Sequence, residues 1–422
     1  MISLQPKQRL RGECTVPPDK SISHRAVLFA SIAKGTSEIR NFLPSDDCLS
    51  TISCMEELGV AIRRRGDRVQ VTGAGLHGLS APAKRLYAGN SGTTTRLLTG
   101  ILCGQSFSSE ISGDDSLNRR PMARIITPLS RMGAHISSPT LTCPMTVSPG
   151  QLHGISYLMP QDSAQVKSAI LLAGLYAEGV TSVTERHPSR DHSERMLSAF
   201  GCPVERQGTT VTLTPPDQLQ CCDVEVVGDI SSAAFFLVAG SIVPHSCITV
   251  RNVGMNPTRT GILTVLQQMG ADLTVEGART VGGDPAADIT VRSADLHGVT
   301  VGEELIPSLI DEIPILAVAA AFAQGETVIS GAQELKVKET NRIDTVCAEL
   351  SKAGAAISPT PDGMIITGGV PITGAAFDSH GDHRIAMACA VLGLAAETES
   401  TLTNAQCASV SFPGFFDLLA RF

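Results

Sequence analysis

The segment Pro17–Arg25 sets Lys20, Ser21, Ser23, His24 and Arg25 against the apolar run Ala26–Ala30, which would carry a helix into a core. A helix start leaves backbone N–H groups unpaired and carries partial positive charge. Two cations added there make an anion seat, suited to phosphate or carboxylate. Taken alone, the segment is equally a capped surface helix with solvated charges. Further segments have the same character. In Gly89-Asn90-Ser91-Gly92-Thr93, Gly92 lets a ligand approach the backbone closely, and Asn90, Ser91 and Thr93 offer hydrogen bonds. In Asn118-Arg119-Arg120-Pro121, Pro121 suits the first turn of a helix, with Arg120 just before it. Asp162-Ser163-Ala164-Gln165 opens an apolar helix; Asp162 or Ser163 would cap it, but an amide at Gln165 has little packing use there. Asp311-Glu312 opens the most apolar helix of the chain. Lys338 and Arg342, four apart around Glu339, are expected on one helical face. His380-Gly381-Asp382-His383-Arg384 precedes another apolar run.

Most of these segments fall at helix starts, and cations gather there although the net charge is −8. A ring of such helix starts facing one cleft would hold a substrate with several negative charges. Gln, Ser and Asn would read its hydroxyls. Asp311 and Glu339, carboxylates amid cations, suit proton transfer. Neither a Walker A loop nor a Gly-rich dinucleotide fingerprint is present, and two histidines beside Asp382 make a poor metal site without a second ligand cluster.

The elements that must position these residues repeat. An amphipathic helix followed by Gly and then a strand recurs five times, marked by Gly59, Gly133, Gly201, Gly270 and Gly354. Each Gly fits the left-handed position just past a helix C-terminus. A second helix type, apolar on every face and therefore buried, begins near Ser21, Thr93, Ala164, Ser231, Asp311 and His383. The pattern implies one supersecondary unit used about six times, with the sixth marked helix lost or altered near the C-terminus. Three units fit one domain. The expected division is residues 18–228 as one domain, and residues 1–17 with 229–422 as a discontinuous second, the N-terminal strand pairing with the later half.

Composition narrows the class. A chain of 422 residues with 42% hydrophobic and 18% charged residues has ample core for two or three domains. Aromatics are 4% and Trp is absent, which with the acidic balance argues against nucleic-acid binding. Twelve scattered cysteines without zinc spacing read as reduced, mostly buried residues of a cytoplasmic protein. Met1–Pro6 lacks the basic start of a signal peptide, and the longest apolar run, Ile313–Ala323, is too short to span a bilayer.

Asp19–Arg25, Gly89–Arg96, Arg120-Pro121, Ser163–Gln165, Asp311-Glu312, Lys338–Arg342 and Asp382–Arg384, in this order, resemble the enolpyruvyl transferase family and, within it, the EPSP synthases. The resemblance covers nearly the whole chain. It implies an α/β fold of two similar domains, each of three βαβαββ units, closing over the substrates as an inverse α/β barrel. The implied reaction transfers the enolpyruvyl group of phosphoenolpyruvate to the 5-hydroxyl of shikimate 3-phosphate, releasing phosphate, in the shikimate pathway. By the resemblance, Lys20, Ser21, Arg25, Ser163, Ala164, Gln165, Asp311 and Lys338 hold shikimate 3-phosphate. Lys20, Asn90, Gly92, Arg120, Gln165, Arg342 and Arg384 hold phosphoenolpyruvate. Asp311 accepts the hydroxyl proton, Glu339 protonates the enol carbon, and Lys20 assists. No cofactor or metal is implied, nor any macromolecular partner, and the chain is expected to be a monomer. There are departures. Ala164 stands where many members have serine, and Val410 where many have lysine. Ser189-Arg190-Asp191-His192 resembles a variant branch, in which Arg190 reaches the shikimate phosphate. The related UDP-N-acetylglucosamine carboxyvinyltransferases would instead show a Lys-Asn pair at the first segment and a reactive cysteine in a mobile loop. A non-enzymatic clamp would account for the repeat but not for Lys338, Glu339 and Arg342 together.

Overall fold

A computed structural model describes all 422 residues and divides them into two compact units, residues 18–226 and residues 1–17 with 227–422. Each is an α/β assembly of three small mixed sheets.

In the 18–226 unit, Leu86–Tyr87 runs parallel to Ser109–Ser112, which pairs antiparallel with Met145–Ser148 and that in turn with His135–Ser137. Ser156–Leu158, Thr181–Thr184, Thr210–Leu213 and Val204–Gln207 repeat the same order and directions. Two parallel neighbours need a crossover connection, and in both sheets it is a buried helix: Gly92–Leu102 in one, Ala164–Gly174 in the other. The amphipathic helices Ala123–Arg131 and His192–Ala199 lead into the hairpins. In the remaining sheet, Ala33–Arg40 follows the buried helix Lys20–Ile32 but takes its parallel partners, Leu219–Gln220 and Val224–Glu225, from the far end of the unit. The crossover helices pack tightly on each other. A Cβ at Gly100 would lie 2.4 Å from the carbonyl oxygen of Ala169, so only glycine allows this approach.

The other unit repeats the plan with helices Ile230–Ile242, Ile313–Phe322 and His383–Ala395, which pack on one another within one continuous apolar core. Arg11–Thr15 supplies the parallel partner of Cys247–Gly254. Thr300–Val301 supplies that of Gly325–Ile329. In the last sheet Ala376–Asp378 runs parallel to Ser400–Thr403, and Ile2–Leu4 closes it. Here the second helix and hairpin are missing. A 3-10 turn, Ala405–Val410, and a short helix, Phe415–Leu419, stand in their place. That is why six buried helices accompany only five marker glycines. The five markers have φ between +84° and +96°, the left-handed conformation expected past a helix end.

All twelve cysteines are free, and eight are buried. No helix is long and apolar enough to cross a membrane.

Candidate functional site

In the 18–226 unit, Asp19 caps the Lys20–Ile32 helix by accepting from Ile22 N–H at 2.9 Å, which leaves the side chains of Lys20, Ser21 and Arg25 for other work. Lys20 Nζ lies 3.1 Å from Asp47 Oδ2, at the start of the Asp46–Glu57 helix. Arg25 is buried and its fork is fully oriented. Nε donates to Ser193 Oγ at 2.7 Å, Nη2 to Ser168 Oγ at 2.9 Å and Nη1 to the Ser21 carbonyl at 3.0 Å. Arg190 Nη1 donates to the Ser21 hydroxyl at 3.4 Å. Ser21 is therefore flanked by Arg25 and Arg190, with Lys20 beside it in the chain.

The second cluster of this unit forms around Gly92. Ser91 caps the Gly92–Leu102 helix through Thr94 N–H. Arg120 donates to Asn90 Oδ1, while Asn90 Nδ2 donates to Asp114 at 2.7 Å. Gln165 is fixed at both ends of its amide: Oε1 accepts from Arg96 Nη1 at 2.5 Å and Nε2 donates to Thr93 Oγ1 at 3.0 Å. This is why an amide sits at the head of an apolar helix. Ser163 is the N-cap residue of that helix but makes no capping bond, with Ala164 half-buried behind it. Asp162 turns away, accepting from the backbone N–H groups of Arg186 and His187. The sequence expectation for Arg120 needs correction. The Asp115–Asn118 helix ends before it, and the next helix starts at Ala123 with Met122 as N-cap, so Pro121 lies outside any first turn. Arg120 is nevertheless buried, whereas Arg119 is exposed.

In the other unit Arg342 organises the acidic residues. Its Nε and Nη2 reach the two oxygens of Asp382 at 2.8 and 3.2 Å, and Nη2 also meets Glu339 Oε2 at 2.6 Å. Asp311 Oδ1 lies 3.5 Å from Arg342 Nη1 and 3.9 Å from Lys338 Nζ. Burial by itself would lower the pKa of Arg342; the carboxylates of Asp382, Glu339 and Asp311 outweigh it and hold the guanidinium above its ordinary value. Lys338 and Arg342 do not share a helical face. Lys338 is extended at the end of the 3-10 turn Gln333–Val337, and Arg342 is the first residue of the Arg342–Lys352 helix. They meet through Asp311, which holds a 3-10 turn just before the Ile313–Phe322 helix.

Asp382 also caps the His383–Ala395 helix by accepting from Arg384 N–H at 2.9 Å, tying that helix start to Arg342. Arg384 is buried and its Nε has no hydrogen-bond partner. Val410, half-buried at the end of the 3-10 turn, adds no charge. His380 bonds to Glu349 instead of joining Asp382, and no group of three or more His, Cys, Asp or Glu side chains is placed to hold a metal.

Several partners escaped sequence reading. Asp47, Arg96, Ser168, Ser193 and Asp382 orient the candidate residues. Arg96 lies within Gly89–Arg96 and Asp382 within His380–Arg384, which is a usable signal. Asp47, Ser168 and Ser193 are near Lys20 and Arg25 only through folding.

The profile of the EPSP synthase (3-phosphoshikimate 1-carboxyvinyltransferase) family matches residues 4–419. The chain is 55% identical over 415 residues to the 3-phosphoshikimate 1-carboxyvinyltransferase of Bacillus cereus (strain B4264), covering 98% of this chain and 96% of that protein. An EPSP synthase structure from Acinetobacter baumannii superposes with a TM-score of 0.87 at 46% identity, covering 99% of this chain and 97% of that one. The enolpyruvyl transferase NikO from Streptomyces tendae gives a TM-score of 0.79 at 16% identity, over 99% and 96% of the two chains, and so bears on the fold alone. The fold is that of the enolpyruvyl transferases, the inverse α/β barrel. Identity at this level across nearly the full length of both chains means that the protein belongs to the EPSP synthase family.

Proposed function

We propose that the chain transfers the enolpyruvyl group of phosphoenolpyruvate to the 5-hydroxyl of shikimate 3-phosphate, releasing phosphate, as a step of the shikimate pathway. Membership of the EPSP synthase family over residues 4–419 is the observation that carries this reading. In our reading, Lys20, Ser21, Arg25 and Arg190 hold shikimate 3-phosphate, with Ser163, Ala164, Gln165 and Lys338. Arg190 at the Ser21 hydroxyl, Arg25 at the Ser21 carbonyl and Lys20 next in the chain suit a dianionic phosphate. Asn90, Gly92, Arg120, Arg342, Arg384 and Gln165, with Lys20, hold phosphoenolpyruvate. The buried Arg384 Nε without an acceptor favours an anion there. The two compact units serve as the two domains, and the enzyme acts as a cytoplasmic monomer.

The addition needs a base at the attacking hydroxyl, an acid at the enol methylene and cations on the phosphate that leaves. Asp311, 17% exposed and flanked by Arg342 and Lys338, takes the hydroxyl proton. Glu339, braced by Arg342, delivers a proton to the methylene, giving a tetrahedral adduct. A proton then returns from that methyl group to the Glu339 carboxylate as the C–O bond to phosphate breaks, which restores the double bond, and the departing phosphate takes up the proton held by Asp311.

Phosphate release tests the proposal. The enzyme should release phosphate from phosphoenolpyruvate with shikimate 3-phosphate and not with UDP-N-acetylglucosamine. Asp311→Asn keeps the shape and should lower kcat by about 10²–10⁴-fold while shikimate 3-phosphate still binds. Near-normal turnover of Asp311→Asn would remove Asp311 from proton transfer, and release with the nucleotide sugar would overturn the acceptor.

A further inference from the structure

His24, Thr51, Thr94 and Ser91 form an unbroken buried chain of polar side chains. His24 Nδ1 lies 2.7 Å from the Thr51 hydroxyl, Thr51 lies 2.7 Å from the Thr94 hydroxyl, and Thr94 lies 2.7 Å from Ser91 Oγ. All four residues are 0% exposed. They stand on the Lys20–Ile32 helix, the Asp46–Glu57 helix and the start of the Gly92–Leu102 helix. One end of the chain adjoins Arg25 and lies one turn from Lys20. The other is the cap residue next to Gly92.

The relay has one consistent polarity. Ser91 Oγ accepts from Thr94 N–H at 3.1 Å and from the Thr94 hydroxyl. With that proton used, Thr51 donates to Thr94, and His24 donates to Thr51 from Nδ1–H. His24 is then a neutral ring whose Nε2 is a bare acceptor, and that atom is buried without a partner. Burial, reinforced by the charges of Lys20 and Arg25, depresses the His24 pKa well below its ordinary value, in keeping with a neutral ring. Apolar side chains would pack these helices without leaving an acceptor unsatisfied. Hydrogen bonds are directional, so this relay sets how three helix starts stand relative to one another.

We propose that His24, Thr51, Thr94 and Ser91 are positioning residues that couple the Lys20–Arg25 segment to the Gly92 turn, so that an anion bound at one tightens binding at the other. The inference rests on the assignment above of shikimate 3-phosphate to the first segment and phosphoenolpyruvate to the second. Settling the guanidinium and ammonium around the first anion fixes the helix start. The relay passes that fixation to Ser91, and the Gly92 backbone is ordered before the second anion arrives.

The test is an initial-rate surface over both substrates, which yields the factor by which saturating shikimate 3-phosphate lowers the dissociation constant of phosphoenolpyruvate. Calorimetric titration gives the affinity for shikimate 3-phosphate alone. Thr51→Val removes the central hydroxyl at nearly constant shape and should cut the coupling factor about threefold or more. Affinity for shikimate 3-phosphate alone should stay within about twofold. Thr94→Val breaks the next link and should do the same, deciding the matter if Thr51→Val does not fold. His24→Asn, which can still donate toward Thr51, should keep most of the coupling that His24→Leu loses. A wild-type factor of one, unchanged coupling in both valine variants, or an equal loss of affinity for each substrate with coupling intact would overturn the proposal. If the wild-type enzyme released no phosphate from this substrate pair, the proposed function itself would fail, and that outcome is visible before any variant is made.

Discussion

Lys167 is 0% exposed, with Nζ 2.8 Å from Glu185 Oε2, 2.7 Å from Glu194 Oε1 and 3.3 Å from the Ser189 carbonyl. One cation serves two buried carboxylates. Burial pushes the Glu194 carboxyl above its ordinary value, against the pull of Lys167. Lys167→Met would strand both acids. Breaking a buried pair in this way costs about 3–5 kcal/mol. In a unit of roughly 200 residues about 4 kcal/mol lowers Tm by about 8–16 °C. The pH dependence follows from the direction of the shift. An acid whose folded pKa is raised adds stability below its unfolded pKa and loses it as pH rises through the folded value. Without Lys167 the shift grows, so the deficit should be large at pH 8 and shrink as pH falls towards 5.5. Adding Glu194→Gln should recover part of the loss, because one stranded charge is gone. Function should suffer as well. Glu185 also receives the Ser189 N–H and hydroxyl, so the cluster grips the residue before Arg190, and the KM for shikimate 3-phosphate should rise about tenfold. Differential scanning calorimetry at the two pH values, with initial rates, measures all of this. A change in Tm below about 2 °C, or a loss equal at both pH values, would refute the reasoning.

Two further outcomes are expected. Gly92→Ala would place a Cβ 2.8 Å from Arg96 Nη1 and 3.4 Å from Arg120 Nη1. Both side chains are buried, so the KM for phosphoenolpyruvate should rise about tenfold, and an unchanged KM would show that the guanidinium groups yield freely. Among the thiols only Cys221 is exposed, while burial pushes Cys103 and Cys202 up to about 12. Iodoacetamide at neutral pH should therefore label Cys221 first in mass spectrometry, and rapid labelling of Cys103 or Cys202 would contradict the packing.

The clearest signals in the chain were local ones. A left-handed glycine after a helix, a cap residue before one and an apolar run within one are each set by a few neighbouring residues, so the six buried helices and five markers could be read directly. So could the family, whose short segments recur in fixed order. Where a local rule was pushed across an unseen break it failed. The spacing of Lys338 and Arg342 suggests one helical face, but the chain extends at Lys338 before the helix begins, and Pro121 falls outside the first turn it suits. Tertiary structure alone decided the rest. The N-terminal strand is expected to join the later half, but its partner is not specified: Ile2–Leu4 closes a sheet with residues 400–402, and Val224–Glu225 pairs with Ile39–Arg40, because backbone hydrogen-bonding groups pair with any register-compatible strand and carry no sequence address. The same holds for the side chains that orient the candidate site. Lys20 with Asp47, Arg25 with Ser168 and Ser193, and Lys167 with its two acids are brought together where the buried helices pack against amphipathic helices and a loop. Residue type determined which groups could meet an anion or move a proton. Long-range packing decided which of them stand close enough to act, since hydrogen bonds and buried ion pairs depend on separations of a few ångströms.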